Sequence, residues 1–186
     1  FKSSDNGATW TTIQTITGAN RIAIAIAPSN DSTVYALCSK SSDSGLLGVY
    51  KSTNSGNSYV LQSDKPNILS GSNDGSSAGG QGWYDLIITV DPLNANVVYT
   101  GGVTTWKSTD GGLTWALNSF WYNISGVPAV HADKHVFEWQ NSITLWEGND
   151  GGVYRTTNGG TSWTYLSSTM EISQMYRMSV SQKDAK

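Results

Sequence analysis

Four short segments of the chain follow one pattern, S/T-x-D/N-x-G-x-T/S and then an aromatic residue. They are Ser3-Ser4-Asp5-Asn6-Gly7-Ala8-Thr9-Trp10, Ser52-Thr53-Asn54-Ser55-Gly56-Asn57-Ser58-Tyr59, Ser108-Thr109-Asp110-Gly111-Gly112-Leu113-Thr114-Trp115 and Thr156-Thr157-Asn158-Gly159-Gly160-Thr161-Ser162-Trp163. Their Asp or Asn positions lie 49, 56 and 48 residues apart. One match is within reach of chance, but four at a spacing near 50 mark an internal repeat, which decides the architecture before composition does.

The box has the chemistry of a hairpin turn. Asp or Asn accepts hydrogen bonds from backbone N–H groups two residues on, closing an Asx turn. Gly supplies the left-handed backbone that a tight hairpin needs. The aromatic residue (Trp10, Tyr59, Trp115, Trp163) starts the return strand with its ring in the core. An aromatic and a basic residue precede each box: Phe1-Lys2, Tyr50-Lys51, Trp106-Lys107 and Tyr154-Arg155. Strand alternation points the aromatic inward and the basic residue to solvent.

A pair of strands joined by an Asn/Pro/Asp/Ser turn precedes three of the boxes. The pairs are 21–28 with 32–37, 86–92 with 96–101, and 135–139 with 142–147. Each unit therefore has four strands, A to D, in about 50 residues, the size of a propeller blade. The expectation is an all-β chain: a β-propeller of four-stranded blades with the box between strands C and D. Residues 1–16 are read as strands C and D of one blade, and 20–64, 83–119 and 129–168 as whole blades. Residues 171–182, with Met175 to Ser181, are read as strand A of the next. Either this last strand helps the first pair close a small ring, or the chain is a segment of a larger propeller. The strand missing from a four-bladed ring favours the segment.

Composition fits this reading and excludes other classes. Of 186 residues only 13% are charged, while eight Trp, nine Tyr and 20 Gly stand out. Eleven scattered basic residues and a net charge of −3 leave no patch to neutralise phosphates, so nucleic acid is not an expected partner. No apolar run reaches the roughly 18 residues that span a bilayer. Cys38, alone in the run Val34 to Cys38, reads as a small buried hydrophobe.

The boxes resemble the Asp-box (BNR) repeat family, found in sialidases, GH74-type xyloglucanases, sortilin-type receptor domains and secreted bacterial proteins. The stretch from Gly82 to Gln182, with Gly148-Asn149-Asp150-Gly151-Gly152-Val153-Tyr154-Arg155, looks most like repeats of secreted Bacteroidetes-type proteins labelled glycosyl hydrolase. The resemblance implies an extracellular protein. It also implies that the boxes lie on C–D hairpins away from the active centre, so Asp5, Gly7, Asn54, Gly56, Asp110, Gly112, Asn158 and Gly160 are structural. A sialidase grips its substrate carboxylate with three arginines. Here Arg21, Arg155 and Arg177 are all there are, and Arg155 stands in the outward position before a box.

In such a fold the D–A and B–C connections emerge opposite the boxes, and function is sought there. Two D–A connections are long, 63–83 and 119–130. Trp83, Tyr84, Trp121 and Tyr122 are candidates for a platform on which sugar rings stack, or else plugs tucked beneath their loops. His131, Asp133 and His135, at i, i+2 and i+4 of a strand, would share one face as ligand-binding residues. Two imidazoles and a carboxylate suit a metal such as zinc. No cysteine or second His-rich segment completes such a site, so no metal or cofactor is expected, and hydrogen bonding to neighbouring strands is the simpler role. Asp85 and Asp133, near the start of strand A in successive blades, are the carboxylate pair to test for glycosidase chemistry.

Three functions stay open. The first is a glycan- or ligand-binding scaffold whose partners are a polysaccharide or cell-surface glycan and the remaining blades of the propeller. The second is part of a GH74-like glycoside hydrolase, and the third a protein-interaction or adhesion scaffold.

Overall fold

The structure, a computed structural model, describes residues 1–170. It holds three four-stranded antiparallel sheets, each a meander in chain order. Sheet 1 is β1 (Ala19–Ala27), β2 (Asn30–Lys40), β3 (Leu46–Ser52) and β4 (Val60–Ser63). Sheet 2 is β5 (Ile87–Val90), β6 (Val98–Gly101), β7 (Thr105–Ser108) and β8 (Ala116–Ser119). Sheet 3 is β9 (Lys134–Asn141), β10 (Thr144–Asn149), β11 (Gly152–Thr156) and β12 (Thr164–Tyr165). Ahead of them, residues 1–16 contribute the bridge Lys2–Thr11. The strand expected from Met175 to Ser181 lies outside the described residues.

Each box closes the hairpin between the third and fourth strands through local bonds. Asp110 Oδ1 accepts the Thr114 N–H at 3.0 Å, and Thr114 Oγ1 donates to Asp110 Oδ2 at 2.6 Å. Ser108 Oγ donates to Asp110 Oδ1 at 2.8 Å while accepting the Gly112 N–H at 2.8 Å. The main reach of the Asx residue is thus four residues on, not two. The Asn boxes reverse one bond. Asn158 Nδ2 donates to Ser162 Oγ at 2.9 Å, as Asn54 Nδ2 does to Ser58 Oγ at 2.9 Å. Asp is therefore paired with Thr, and Asn with Ser. Two consecutive residues are left-handed in every box, as at Gly111 and Gly112 with φ of 79° and 87°, where the sequence pattern anticipates one.

Two expectations about flanking residues are corrected. The basic residues do not simply face solvent: Lys51 and Lys107 sit over the rings of Tyr35 and Tyr99 and reach into the next sheet. Lys51 Nζ donates to Asn96 Oδ1 at 2.9 Å, and Lys107 Nζ to Gly159 O at 3.1 Å. The closing aromatics meet the core only in part, Trp115 and Trp163 packing against its edge. Trp115 and Trp163 are half-buried and donate back to the preceding sheet, to Ser63 Oγ and Asn118 Oδ1. Trp10 is exposed.

β1 packs beside β5 and β5 beside β9, so the first strands line the inside of the arc. Between sheets 1 and 2 the core is built from Tyr35, Leu37, Val49, Ile88, Val90 and Trp106, extended by Ile68 and Leu69 from the loop after β4. Tyr99, Phe137 and Leu145 form a smaller core between sheets 2 and 3. Cys38 is buried as expected, and burial pushes its thiol up to about 12. In β1 the Ala side chains face this core while Ile22, Ile24 and Ile26 stay exposed. They line a crevice of about 250 Å³ under residues 1–16.

The connections sort by end. At one end the box of each sheet is tied to its first turn: Ser55 N–H to Ser32 O, Gly111 N–H to Asn96 O, and Gly159 N–H to Ile143 O. At the other, the long connections meet the turns between second and third strands. Gly80 N–H donates to Asp43 O at 3.0 Å, Lys134 N–H to Gly102 O at 2.9 Å, and Asp150 N–H to Asp133 O at 3.3 Å.

Candidate functional site

The end opposite the boxes is organised by its two long connections. The first is pinned by Asn67, whose Oδ1 accepts the Leu46 N–H at 2.8 Å and whose Nδ2 donates to Gly79 O at 2.7 Å. Phe120 anchors the second, fully buried beneath it. With the plug role filled by Ile68, Leu69 and Phe120, three of the four aromatic candidates are left in solvent. Trp83 is 61% exposed, Trp121 49% and Tyr122 48%. Trp121 and Tyr122 meet edge to face at 4.6 Å, and the Trp121 indole donates to Gly71 O at 3.4 Å, linking the two connections.

The fourth aromatic, Tyr84, enters a polar cluster that spans all three sheets. Arg21 in β1 donates to the Tyr84 carbonyl at 2.6 Å. The Tyr84 hydroxyl donates to Asp150 Oδ2 at 3.0 Å, and His135 Nε2 lies 2.8 Å from Asp150 Oδ1. The Tyr84 and His135 rings meet edge to face at 4.9 Å, with Trp83 against Tyr84 at 5.4 Å. Asp150 and His135 are partly exposed. The cluster is therefore a fixed, solvent-facing set of acceptors and donors beside an exposed indole.

Asp85 and Asp133 lie deeper. Asp85 is fully buried, and neither of its oxygens has a hydrogen-bond donor among the described residues. Burial, then the charge of Asp133 and the contact of the two carboxyl groups, push Asp85 up to about 8, against a smaller pull from Lys134. Burial and a neighbouring carboxylate both favour the neutral, protonated form of Asp85. Glycosidase carboxylates stand roughly 5 to 9.5 Å apart across the bond they cleave. Here Asp85 is fully buried, with the Asp133 charge close enough to raise its pKa.

Beside them is a buried ion pair absent from the sequence reading. Lys134 Nζ lies 3.8 Å from Glu147 Oε1, and both side chains are fully buried. The ammonium also donates to the carbonyls of Val103, Val130 and His131, and Glu147 accepts from Thr105 Oγ1 and Asn149 Nδ2, each at 3.0 Å. Burial lowers the Lys134 pKa and raises that of Glu147. With its hydrogen bonds met on both sides, this pair welds sheet 3 to the turn of sheet 2.

The shared strand face expected for His131, Asp133 and His135 is corrected. β9 begins at Lys134, so only His135 belongs to the strand. Asp133 is left-handed with φ of 63°, which breaks the period-two alternation at that point. His131 packs over Gly151, where an added Cβ would lie 2.3 Å from the imidazole. It thereby supports the turn that carries Asp150. The described residues hold no group of three or more His, Cys, Asp or Glu side chains suited to a metal ion. Asp150, Lys134, Glu147 and Arg21 are the site-end residues that sequence reasoning missed. An acid in a glycine-flanked turn, Gly148-Asn149-Asp150-Gly151-Gly152, was the one available signal.

Known proteins share this fold. Among solved structures, YCF48 from Cyanidioschyzon merolae matches with a TM-score of 0.56 at 14% identity, over 84% of this chain and 40% of its own. An ancestral GH74 enzyme matches with a TM-score of 0.55 at 23% identity, over 87% and 20%. The fold is a β-propeller segment. In sequence the chain is 28% identical over 157 residues to a xyloglucanase of Hypocrea jecorina (strain QM6a), covering 81% of this chain and 18% of that protein. The propeller segment thus spans under a fifth of its curated relative. No family model matches it. No helix among the described residues is long and apolar enough to cross a membrane.

Proposed function

We propose that this propeller segment binds a polysaccharide on the end opposite its boxes, as part of a longer, secreted glycoside-hydrolase-like protein. The observation that carries this reading is the exposed Trp83 set against the Tyr84–Asp150–His135 cluster, with Trp121 and Tyr122 on the same end. Sugar rings offer apolar C–H faces that stack on indoles, and hydroxyls that seek fixed polar partners. Rigid aromatic side chains held in water by buried plugs supply the first, and the cluster supplies the second. Similarity to a xyloglucanase makes xyloglucan the first polymer to try.

Calorimetric titration of xyloglucan oligosaccharides into the chain, followed in parallel by Trp fluorescence, tests the proposal. Trp83→Ala is expected to weaken binding at least tenfold, and Asp150→Asn severalfold. Absence of binding to xyloglucan and to other β-glucans sinks it, and leaves the protein-interaction scaffold as the reading to pursue.

A second reading, a catalytic role for Asp85 and Asp133, is favoured by one observation. Asp85 is an acid pushed up to about 8 by its burial and by Asp133, the direction a general acid requires. The assay is release of reducing ends from xyloglucan by the chain and by Asp85→Asn. Equal or undetectable rates in both remove this reading without touching the first.

A further inference from the structure

The exposed Trp83 stands on a tight turn that sheet 1 holds in place. Gln81 O accepts the N–H groups of Tyr84 at 2.7 Å and Asp85 at 3.0 Å, so residues 81–85 curl over just ahead of β5. Two glycines press the approach to this turn against sheet 1. A Cβ on Gly82 would lie 2.5 Å from Ser39 Cβ, and one on Gly80 would lie 2.9 Å from Ser44 O. Gly82 N–H donates to Ser44 O at 3.1 Å. Close approach, rather than an unusual backbone angle, is what requires glycine at both places.

The same Ser39 brackets Arg21. Its buried hydroxyl accepts the Arg21 N–H and donates to Arg21 O, each at 3.3 Å. The pairing of β1 with β2 shifts register between Ala19 and Ile22, so Arg21 sits at an irregularity of the strand. Such a bulge re-aims a side chain. Here it sends the guanidinium to the turn, where Nη1 lies 2.6 Å from Tyr84 O and 3.4 Å from Trp83 O. Tyr84 is therefore gripped from two sheets, its carbonyl by Arg21 of sheet 1 and its hydroxyl by Asp150 of sheet 3. The Trp83 ring rests against the Tyr84 ring at 5.4 Å.

We propose that Arg21 is a positioning residue of the glycan platform, fixing the Trp83 indole for stacking through the carbonyls of Trp83 and Tyr84 without touching the sugar. The proposal rests on the reading of Trp83 as a stacking surface. A donor that carries charge holds a carbonyl more firmly than a neutral one. An indole fixed before the ligand arrives loses less freedom on binding, and that difference appears as affinity.

Fluorine NMR of the chain carrying fluorotryptophan, read beside calorimetric titration of xyloglucan oligosaccharides, tests the proposal. The Trp83 line is assigned by its loss in Trp83→Phe. In Arg21→Ala this line is expected to shift and broaden, while those of Trp106 and Trp115, at the core between sheets 1 and 2, stay in place. Affinity is expected to fall about three- to tenfold, and Arg21→Lys, which keeps a charged donor, to recover most of it. Arg21→Met keeps the length without the donors, and so separates lost bonding from lost packing. In a Trp83→Ala background, Arg21→Ala is expected to change affinity by less than about twofold, because no indole is left to position. A Trp83 line unmoved by Arg21→Ala overturns the proposal, whether or not the chain binds a glucan. So does a loss in the Trp83→Ala background as large as in the native one, which makes Arg21 a direct contact. A moved Trp83 line in a chain that binds no glucan supports the role of Arg21 and sinks the polysaccharide reading alone.

Discussion

The two ends of this propeller segment are built by opposite means. At the box end each turn is closed by bonds between residues two to four apart, and the same turn is made four times. At the other end no two connections are alike. Partners there come from far along the chain: Tyr84 meets Asp150 across 66 residues, and Arg21 meets Tyr84 across 63. Local bonds make a turn that survives repetition and substitution. Long-range bonds make a unique surface that depends on every sheet being in place. The contrast predicts that single changes cost more, and spread farther, at the site end.

The largest effect is expected at the buried ion pair. Glu147→Ala strands the Lys134 ammonium in a dry site and is expected to cost about 3–5 kcal/mol of stability in urea titration. A loss below about 1 kcal/mol would show that the two ends are equally tolerant.

The carboxyl pair should give the site end a pH signature. Asp85 has a folded-state pKa raised above its unfolded value, so its contribution is fully present below about pH 4 and is lost as pH rises toward 8. Within that window stability should fall by up to about 1.4 kcal/mol per pH unit on this account. Asp85→Asn should flatten the slope. An unchanged slope in the variant would mean that Asp85 is not the group whose raised pKa sets the pH dependence.

Glycines separate backbone strain from packing. Gly112 at the box end has φ of 87° and a Val49 methyl 3.3 Å from where a Cβ would lie, whereas Gly126 in the second long connection has φ of 79° and open space. Ala at Gly112 is expected to cost about 1–2 kcal/mol from the left-handed backbone, and more if Val49 cannot give way. Gly126→Ala should show the backbone cost alone. Comparing the two melting temperatures reads the difference.

The smallest effect is expected from exchanging one box chemistry for the other. Asn158→Asp together with Ser162→Thr reproduces the bonding of Asp110 with Thr114, and should leave stability within about 0.5 kcal/mol. A larger shift would show that the Asn boxes are tuned to their neighbours.

Residues close in sequence made the box end legible. Asp110 and Thr114 reach each other whatever the rest of the chain does, so the pattern announced the hairpin, the sheet order and which end carries the boxes. The same reasoning failed wherever a side chain chose a partner in another sheet. Lys51 and Lys107 were read as solvated because alternation speaks only of two faces, not of a neighbouring sheet that offers a carbonyl. The His131–Asp133–His135 face was read from strand periodicity, but Asp133 turns left-handed just before β9 and ends that periodicity. Trp83, Trp121 and Tyr122 were named from composition and loop length. Their exposure depends on Ile68, Leu69 and Phe120 filling the space beneath.

By itself the sequence determined the all-β repeat, the four strands per unit and the turns that join them, because bonds over four residues and period-two burial are local physics. The tertiary structure alone decided that Asp85 comes within reach of the Asp133 charge, that Asp150 is held between Tyr84 and His135, and that Arg21 grips the Tyr84 carbonyl. Those pairings arise from three sheets packed side by side. No spacing along the chain encodes the distance between residues that only packing brings together.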